Sequence, residues 1–393
     1  MYKILFAVLF SVICVKAQTL DQILKIAEEN SPYLKANLFK IKATEGQLFQ
    51  AKAVPNPQMN IEFGRIISQT ESGLNLTGFS IQQQLRLWGE KKFAINSANL
   101  KKKAQEFYYD FQKNILYGQI YTNFYNALYY KQLINLKNQE YNLYKEILAF
   151  IKKSYKLGES TQLDLLRAQR ELDFVKLQLD NLNTKYKTYL NTLSALAGEN
   201  ISDIEGDFFQ ISPLYEINLA NHPLLKYYDL ISQSIDEEIK RYKALAKPKI
   251  SIGFVASEDE VDLGKYDFGL SINSTIPVFY KNKGQIISAI YRKKTNIQQK
   301  QQQILKLKAD LKTIEQQYQV IKKQLKTLQE QTLPKVQETL KLGEKSFKNN
   351  VISFFEYSSI NKQYFDTVAF KLQLLNQLHL LKGDYIKIGG FNQ

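Results

Sequence analysis

The sequence predicts a mainly α-helical protein that also carries four β-strands and is written as a tandem repeat. Only 17 glycines and 8 prolines occur in 393 residues, which is typical of long uninterrupted helices rather than of a loop-rich sandwich. Apolar residues make up 44% of the chain, so it can bury a core. Short motifs also recur at a nearly constant spacing, which is the pattern of an internal duplication.

The duplication relates two stretches of similar length. The matched pairs are Pro32 with Pro223, Pro57 with Pro248 and Ser97 with Ser288, all 191 positions apart, and Tyr155 with Phe347, which are 192 apart. The second copy has therefore gained one residue between its last two matched positions. We predict a first repeat over 18–204 and a second over 205–393.

The first seventeen residues predict a cleaved secretory signal. A basic Lys3 precedes the apolar run 4–15, and cleavage is expected after Ala17. About 12 apolar residues are too few to span hydrocarbon, which needs roughly 20. Lipidation at Cys14 is disfavoured because the preceding Ile13 is bulkier than the small residue that such sites require.

Each repeat opens with helices and continues with two strands. In the first repeat, helices over 21–30 and 33–53 are followed by prolines, which end helices. The predicted strands cover 57–66, 74–86, 248–256 and 265–277.

The strands alternate in polarity. In the third strand, Ile250, Ile252 and Phe254 alternate with Lys249, Ser251 and Gly253. A period of two, with one apolar and one small or polar face, predicts a sheet between two different media. No later stretch approaches 18 consecutive apolar residues, so we expect any entry into a membrane to use strands.

Long helical hairpins over about 90–198 and 281–386 follow the strands. From Glu90 to Lys156 no proline interrupts the sequence, which predicts a rod of roughly 100 Å. Apolar residues spaced alternately 3 and 4 apart predict coiled-coil packing. They are Ile304, Leu307, Leu311, Ile314, Tyr318, Ile321, Leu325 and Leu328 in the second repeat, and Leu165, Ala168, Leu172, Val175, Leu179, Leu182, Tyr186, Tyr189 and Leu193 in the first. Pro334 should kink or break the second rod near Leu333.

The sequence offers few residues for catalysis, metal binding or nucleic-acid binding. Outside the predicted signal, the soft ligands are His222, His379 and Met59, which excludes a Cys/His zinc site. No nucleophile, base and orienting group recur as a unit, so we expect no enzyme activity, no cofactor and no bound metal. The net charge of +15 suggests nucleic-acid binding, but the lysines are dispersed along helices and no nucleic-acid partner is expected.

Four strands cannot close a membrane barrel, which needs about eight, so a membrane role requires an oligomer. The duplication, the strand pairs, the turn 155–169 and the tract 333–356 resemble the TolC-like outer-membrane efflux protein family (outer membrane factors). The resemblance implies a homotrimer whose 12-stranded β-barrel, in contact with outer-membrane lipid, continues into a periplasmic α-helical barrel. It also implies a periplasmic membrane-fusion (adaptor) protein and an inner-membrane RND or ABC transporter as partners.

The resemblance assigns roles to the two hairpin turns. Asp164 and Glu356 would ring the pore entrance, where crowding would raise some carboxyl pKa values. A structural alternative is that Asp164 only caps its helix. Leu157, Gly158 and Asn350 would contact the adaptor, or serve turn geometry alone. Ile352 departs from the family, because a well-known member has an arginine there that latches the closed entrance.

Three functions stay open at this point. The first is the exit duct of a tripartite efflux pump in the outer membrane, extending into the periplasm. The second is the outer-membrane channel of a type I protein secretion system. The third, from a different class, is a secreted coiled-coil structural or adhesive protein. The transported substrate could be drugs, metal cations or proteins.

Overall fold

The computed structural model describes residues 17–67, 72–258, 265–349 and 351–391. Apart from Ala17, the predicted signal, with Cys14, lies outside the described residues, and so does Asn350. The helices are α1 (Leu20–Asn30), α2 (Pro32–Lys52), α3 (Glu90–Lys156), α4 (Gln162–Ala197), α5 (Pro223–Leu245), α6 (Lys283–Thr327), α7 (Leu333–Lys348) and α8 (Phe354–Gly389). The strands are β1 (Gln58–Ile67), β2 (Ser72–Gln84), β3 (Lys249–Glu258) and β4 (Tyr266–Thr275). The prediction of a mainly helical chain with four strands is confirmed.

The chain divides into two compact units. The helical unit comprises Met1–Ala36, Phe111–Ile217 and Leu307–Gln393, and the sheet unit comprises Asn37–Asp110 and Asn218–Lys306. Both predicted repeats contribute to both units. The first rod is α3, and the second rod is α6 with α7; each begins in the sheet unit and ends in the helical unit. The repeat boundaries at 18–204 and 205–393 describe the sequence and stay a prediction.

The helical unit buries the predicted stripes. In α6 and the turn after it, Leu307, Ile314, Tyr318, Leu325 and Leu328 are buried. The intervening members of the stripe are partly buried, and most of their neighbours are exposed. This spacing therefore stabilises the unit through one apolar seam per helix.

A π-helical turn interrupts the second rod. It covers Leu328–Thr332, and the Leu333 N–H donates to the carbonyl of Leu328, five residues back. Pro334 follows directly, and it has no N–H to bond the carbonyl of Glu330 in the α-helical manner. The α-helical hydrogen bonding is thus interrupted near Leu333, where a kink or break is predicted, and the interruption takes the form of a wide turn.

The sheet unit holds one antiparallel sheet in the order β1-β2-β3-β4. Residues directly opposite each other on neighbouring strands place their side chains on the same face of the sheet. The pairing register therefore shows which residues share a face. The apolar face carries Met59, Ile61, Phe79, Ile81, Ile252, Phe254, Phe268, Leu270 and Ile272. The opposite face carries Asn60, Ser80, Gln82, Gln84, Ser251, Gly253, Ser271 and Asn273. The apolar face stays exposed in the chain: Leu270 retains 92% of its accessible surface and Ile272 77%.

Two glycines allow α3 and α8 to approach closely inside the helical unit. A Cβ on Gly118 would lie 2.5 Å from the carbonyl oxygen of Gly383, and a Cβ on Gly383 would overlap the Thr122 hydroxyl. A larger residue at Gly118 must push the two helices apart, and a larger residue at Gly383 must displace the Thr122 side chain.

We predict that Gly118→Ala destabilises the protein by about 1–3 kcal/mol, because the added methyl meets the Gly383 carbonyl oxygen and the Lys387 backbone nitrogen as well as the Lys387 side chain. Thermal unfolding followed by circular dichroism measures this loss. Gly46→Ala is the matched control, since Gly46 lies mid-helix in α2 with nothing within 4 Å of its Cβ position. The control should gain up to about 1 kcal/mol through helix propensity. Equal unfolding temperatures for the two variants would contradict the close helix contact.

Candidate functional site

The first hairpin turn, between α3 and α4, is built by a Schellman motif. Gly158 has φ +79°, a left-handed conformation that favours glycine. The Glu159 N–H donates to the Ser154 carbonyl at 2.9 Å, and the Gly158 N–H donates to the Tyr155 carbonyl at 3.1 Å. These are the two hydrogen bonds that define the motif. Gly158 is thus required by turn geometry, whatever else the tip contacts.

The second turn, between α7 and α8, repeats the hydrogen bond that joins residues five positions apart. The Val351 N–H donates to the Ser346 carbonyl at 2.8 Å. Ser346 lies 192 positions after Ser154, so the two turns are equivalent in sequence as well as in geometry. Asn350 would be the counterpart of Gly158 but lies outside the described residues, and its role as an adaptor contact stays a prediction.

Both predicted entrance acids occupy capping boxes at the start of the return helices. The Asp164 N–H donates to the Thr161 hydroxyl at 3.1 Å, and that hydroxyl donates to the Asp164 carboxylate at 2.6 Å. The Ser353 N–H and hydroxyl donate to the Glu356 carboxylate at 2.8 and 3.0 Å. The alternative that Asp164 caps its helix is therefore observed locally.

A capping role does not exclude a role at a pore, because each carboxylate stays at the surface. The pore-facing position of Asp164 and Glu356 stays a prediction. The second box was not predicted above, although Ser353-Phe-Phe-Glu356 is the pattern that signals one. The first box, Thr161-Gln-Leu-Asp164, shows the same spacing with aspartate.

The capping box changes the acidity of Glu356. Hydrogen bonds from the Ser353 backbone and then from its hydroxyl lower the pKa of the Glu356 carboxyl below its ordinary value. The expected crowding of six carboxylates would act in the opposite direction. Within one chain, the local hydrogen bonds favour the charged form.

An apolar cluster joins the two hairpins just behind their turns. Its buried members are Tyr144, Ile147, Leu148 and Ile151 of α3, Ala168 and Val175 of α4, and Phe354 and Tyr357 of α8. Phe347 of α7 stacks on Tyr357 with ring centroids 4.7 Å apart. Tyr144 and Ser358 add a hydrogen bond of 3.1 Å between the hairpins. Ile352 packs against this cluster, so an apolar contact stands where the resemblance implies an arginine.

The turns carry exposed apolar side chains. Leu157 is 64% exposed, and Leu163 and Leu166 at the start of α4 are also exposed. Val351 and Phe355 extend the same surface on the second turn. Exposed leucine and phenylalanine at a hairpin end are typical of an interaction surface. The assignment of Leu157 and Gly158 as adaptor contacts stays a prediction.

His379 serves the fold. His379 of α8 is fully buried and stacks on Tyr125 at 3.6 Å between ring centroids. Its Nε2 lies 3.0 Å from the Phe208 carbonyl and its Nδ1 lies 3.2 Å from the Tyr121 hydroxyl. Burial lowers the pKa of His379 to about 4, so its ring is neutral. Across the part of the chain that the structure describes, no group of three or more His, Cys, Asp or Glu side chains could hold a metal ion.

The model of the outer membrane efflux protein family matches residues 23–199. These residues form an outer membrane efflux protein domain. The predicted resemblance to this family is thereby confirmed. The matched segment includes the first strand pair, the first rod and the turn that carries Leu157, Gly158 and Asp164. Within the described ranges, no helix is both long and apolar enough to cross a membrane.

Comparison with known proteins extends the likeness along the chain. The cobalt-zinc-cadmium resistance protein CzcC of Cupriavidus metallidurans is 20% identical over 288 residues. That alignment covers 69% of this chain and 66% of CzcC, just under two thirds of its length.

Solved structures share the fold over nearly the whole chain. A membrane protein from Pseudomonas aeruginosa matches with a TM-score of 0.81 at 15% identity, covering 94% of this chain and 91% of the other. The CmeC outer membrane channel of Campylobacter jejuni matches with a TM-score of 0.79 at 15% identity, covering 94% and 85%. The MtrE outer membrane channel of Neisseria gonorrhoeae matches with a TM-score of 0.78 at 16% identity, covering 94% and 89%.

We predict that the second hairpin turn loosens in acid. Because the folded-state pKa of Glu356 is lowered, its carboxylate stabilises the turn above the ordinary value of 4.5 and loses this effect as the pH falls through the folded-state pKa. Hydrogen exchange, corrected for intrinsic rates, should show reduced protection of the Glu356 amide between about pH 5 and about pH 3.

Glu356→Gln is the control for this effect, since glutamine also completes a capping box but does not titrate. Its protection should be the same at both pH values. A wild-type turn that stays equally protected in acid would contradict the role of the carboxylate.

Proposed function

We propose that this chain is the outer-membrane exit duct of a tripartite efflux pump. In this proposal it acts as a passive homotrimeric channel, coupled to a periplasmic adaptor protein and an inner-membrane RND or ABC transporter. It would lie in the cell outer membrane and extend into the periplasm. The outer membrane efflux protein domain over residues 23–199 supports the efflux role.

The observation that carries the proposal is the open sheet with one apolar face. Among the described residues, β1 and β4 each pair with one strand only. The backbone N–H and C=O groups along the outer edge of each therefore have no neighbouring strand to bond. Such an edge cannot face hydrocarbon, where an unpaired amide or carbonyl costs several kcal/mol. Pairing β4 of one copy with β1 of the next would remove both edges. Because neighbouring strands alternate in direction, that new pair would also be antiparallel.

The number of copies follows from the size of the ring. Two copies would give eight strands, and the interior of an eight-stranded barrel is just filled by side chains. Three copies would give twelve strands and leave a lumen. The polar face of the sheet, with Gln82, Ser251 and Asn273, suits a water-filled interior. The apolar face would then meet lipid.

The rival readings fit these observations less well. A secreted coiled-coil structural protein has no need of an exposed face that carries Leu270 and Ile272. A type I secretion channel would use the same fold, and it stays the alternative within the same class. The two differ in the inner-membrane partner and in the cargo.

We predict that the mature chain purifies in detergent with the protein mass of a trimer and conducts ions in a planar bilayer. Asp164→Asn with Glu356→Gln should weaken its cation preference, because both changes remove entrance charge while keeping a hydrogen-bonding side chain in each cap. Light scattering measures the mass, and reversal potentials in a salt gradient measure the preference.

The control for this double variant removes the same two charges elsewhere. Asp180→Asn with Glu338→Gln changes two exposed acids that lie away from the hairpin turns. Its selectivity should stay close to that of the wild type. A soluble monomer or dimer that never inserts into the bilayer would contradict the channel proposal. Unchanged selectivity in the entrance variant would remove only the assigned role of Asp164 and Glu356.

We further propose divalent metal cations as the cargo of the pump, supported by the similarity to a cobalt-zinc-cadmium resistance protein. The described residues offer no metal cluster, so selection of the cation would rest with the inner-membrane transporter. Deleting the gene should reduce growth in zinc, cobalt or cadmium more than growth with organic drugs, and the wild-type gene should restore it. Sensitivity to drugs alone would contradict this cargo.

A further inference from the structure

The junctions where β2 leads into α3 and β4 leads into α6 carry equivalent aromatic residues. Trp88 and Phe279 lie 191 positions apart, the offset that relates the two repeats. Trp88 is 48% exposed and Phe279 is fully exposed. Tyr280 follows Phe279 and is also exposed. Both strands therefore end in an exposed aromatic side chain at the helical end of the sheet.

The backbone holds Trp88 in an unusual conformation. Its φ is +58°, in the left-handed region that a bulky residue rarely occupies. The indole N–H donates to the Pro248 carbonyl at 2.8 Å, which fixes the ring to the start of β3. The Lys247 ammonium lies 5.1 Å from the centre of the ring. An outlier of this kind persists where surrounding contacts enforce it, and such positions often serve function.

Basic side chains accompany these aromatic residues. We use the name basic collar for three exposed lysines at this end of the sheet: Lys247, Lys281 and Lys283. Lys249 is excluded because it lies on the polar face of the sheet with Ser251. In the described chain, none of the three collar lysines forms an ion pair. The nearby acid Glu90 is buried, and it is already paired with Arg86 and Arg241 at 2.5 and 2.7 Å. The collar is therefore a region of unneutralised positive charge.

The opposite end of the sheet has the opposite charge in sequence. Strand β3 ends at Glu258, and the connection from β3 to β4 contains Asp259, Glu260 and Asp262 in sequence. The sheet thus runs from a basic, aromatic end near the helices to an acidic connection. A membrane-spanning sheet with this polarity would place tryptophan and lysine together at one interface. Aromatic residues prefer that depth, and anionic lipids attract lysines near the surface.

We propose that the basic collar, together with Trp88 and Phe279, binds the anionic headgroups of phospholipids in the leaflet that faces the periplasm. The proposal rests on the proposed function, since it requires the sheet to span a membrane. The phosphate of the headgroup would lie among the lysine ammonium groups. The Trp88 and Phe279 rings would lie at the boundary with the acyl chains. This contact would fix the depth and the orientation of the duct.

Trp88 is the only tryptophan in the sequence, so the protein carries its own reporter at the site. The trimer is reconstituted in phosphatidylcholine vesicles that contain the same low fraction of a brominated lipid, either phosphatidylglycerol or phosphatidylcholine. Brominated acyl chains quench a tryptophan only in near contact. We expect brominated phosphatidylglycerol to bind beside Trp88 more tightly by about fivefold for each lysine that acts on the headgroup. The preference should fall as salt is added.

Two variants with the same change in charge separate the collar from overall charge. The first changes the three collar lysines to glutamine. The second changes three exposed lysines on the helices to glutamine: Lys308, Lys312 and Lys323. The lipid preference should approach unity in the collar variant and stay at the wild-type value in the helix variant. If the collar variant does not assemble, the salt dependence of the wild-type lipid preference tests the proposal, and a preference unchanged by salt would contradict it.

Each other result has its own meaning. Equal quenching by both brominated lipids in a conducting wild-type trimer would overturn the proposal while leaving the duct intact. Conduction without quenching by either lipid would also overturn it, and would indicate that a neighbouring copy covers Trp88. Neither conduction nor quenching would mean that the chain does not insert, which is a failure of the proposed function itself.

Discussion

Backbone hydrogen bonding at the two outer edges of the sheet constrains the rest of this protein. A strand edge in water can bond to solvent, but a strand edge in hydrocarbon has no such partner. Within the described residues, the chain supplies four strands and leaves β1 and β4 each with one open side. Its apolar face has no covering layer either, as the exposure of Leu270 shows. Both features are unfavourable in a soluble monomer, and both disappear if copies close into a ring inside a bilayer.

The helical unit solves a different problem, which is to hold long helices in register with little core. Each helix contributes a narrow seam, such as Ile314, Tyr318 and Leu325 in α6, rather than a broad apolar face. At the crossing of α3 and α8, Gly118 and Gly383 replace side-chain packing with close backbone contact. Near the turns, the cluster around Tyr144 and Phe354 joins the hairpins. The ends of the hairpins are thus ordered by packing, and their surface chemistry is left for other contacts.

The sequence was informative wherever the determining interaction is local or periodic. The alternation from Ile250 to Phe254 located a strand, and the 3,4 spacing around Tyr318 located a buried seam, because both patterns follow from backbone geometry. It was less informative about the compact units, since packing between distant segments decides which parts of the two repeats associate. The entrance acids show the same division. Thr161 with Asp164 and Ser353 with Glu356 carry a readable capping signal, but the direction in which a carboxylate faces an assembled pore depends on neighbouring copies.

The π-helical turn before Pro334 shows how the second repeat holds one residue more than the first. Equivalent positions of the two rods are 191 apart before that turn, as Ala127 and Tyr318 are, and 192 apart after it, as Ile151 and Gly343 are. All four residues are buried. One residue inserted into a regular α-helix rotates everything beyond it by about 100° and would turn the seam toward solvent. A π turn takes up one additional residue, so the helix beyond it keeps its phase. The second rod has thus accommodated an insertion without exposing its core, and its hairpin still ends in the same turn as the first.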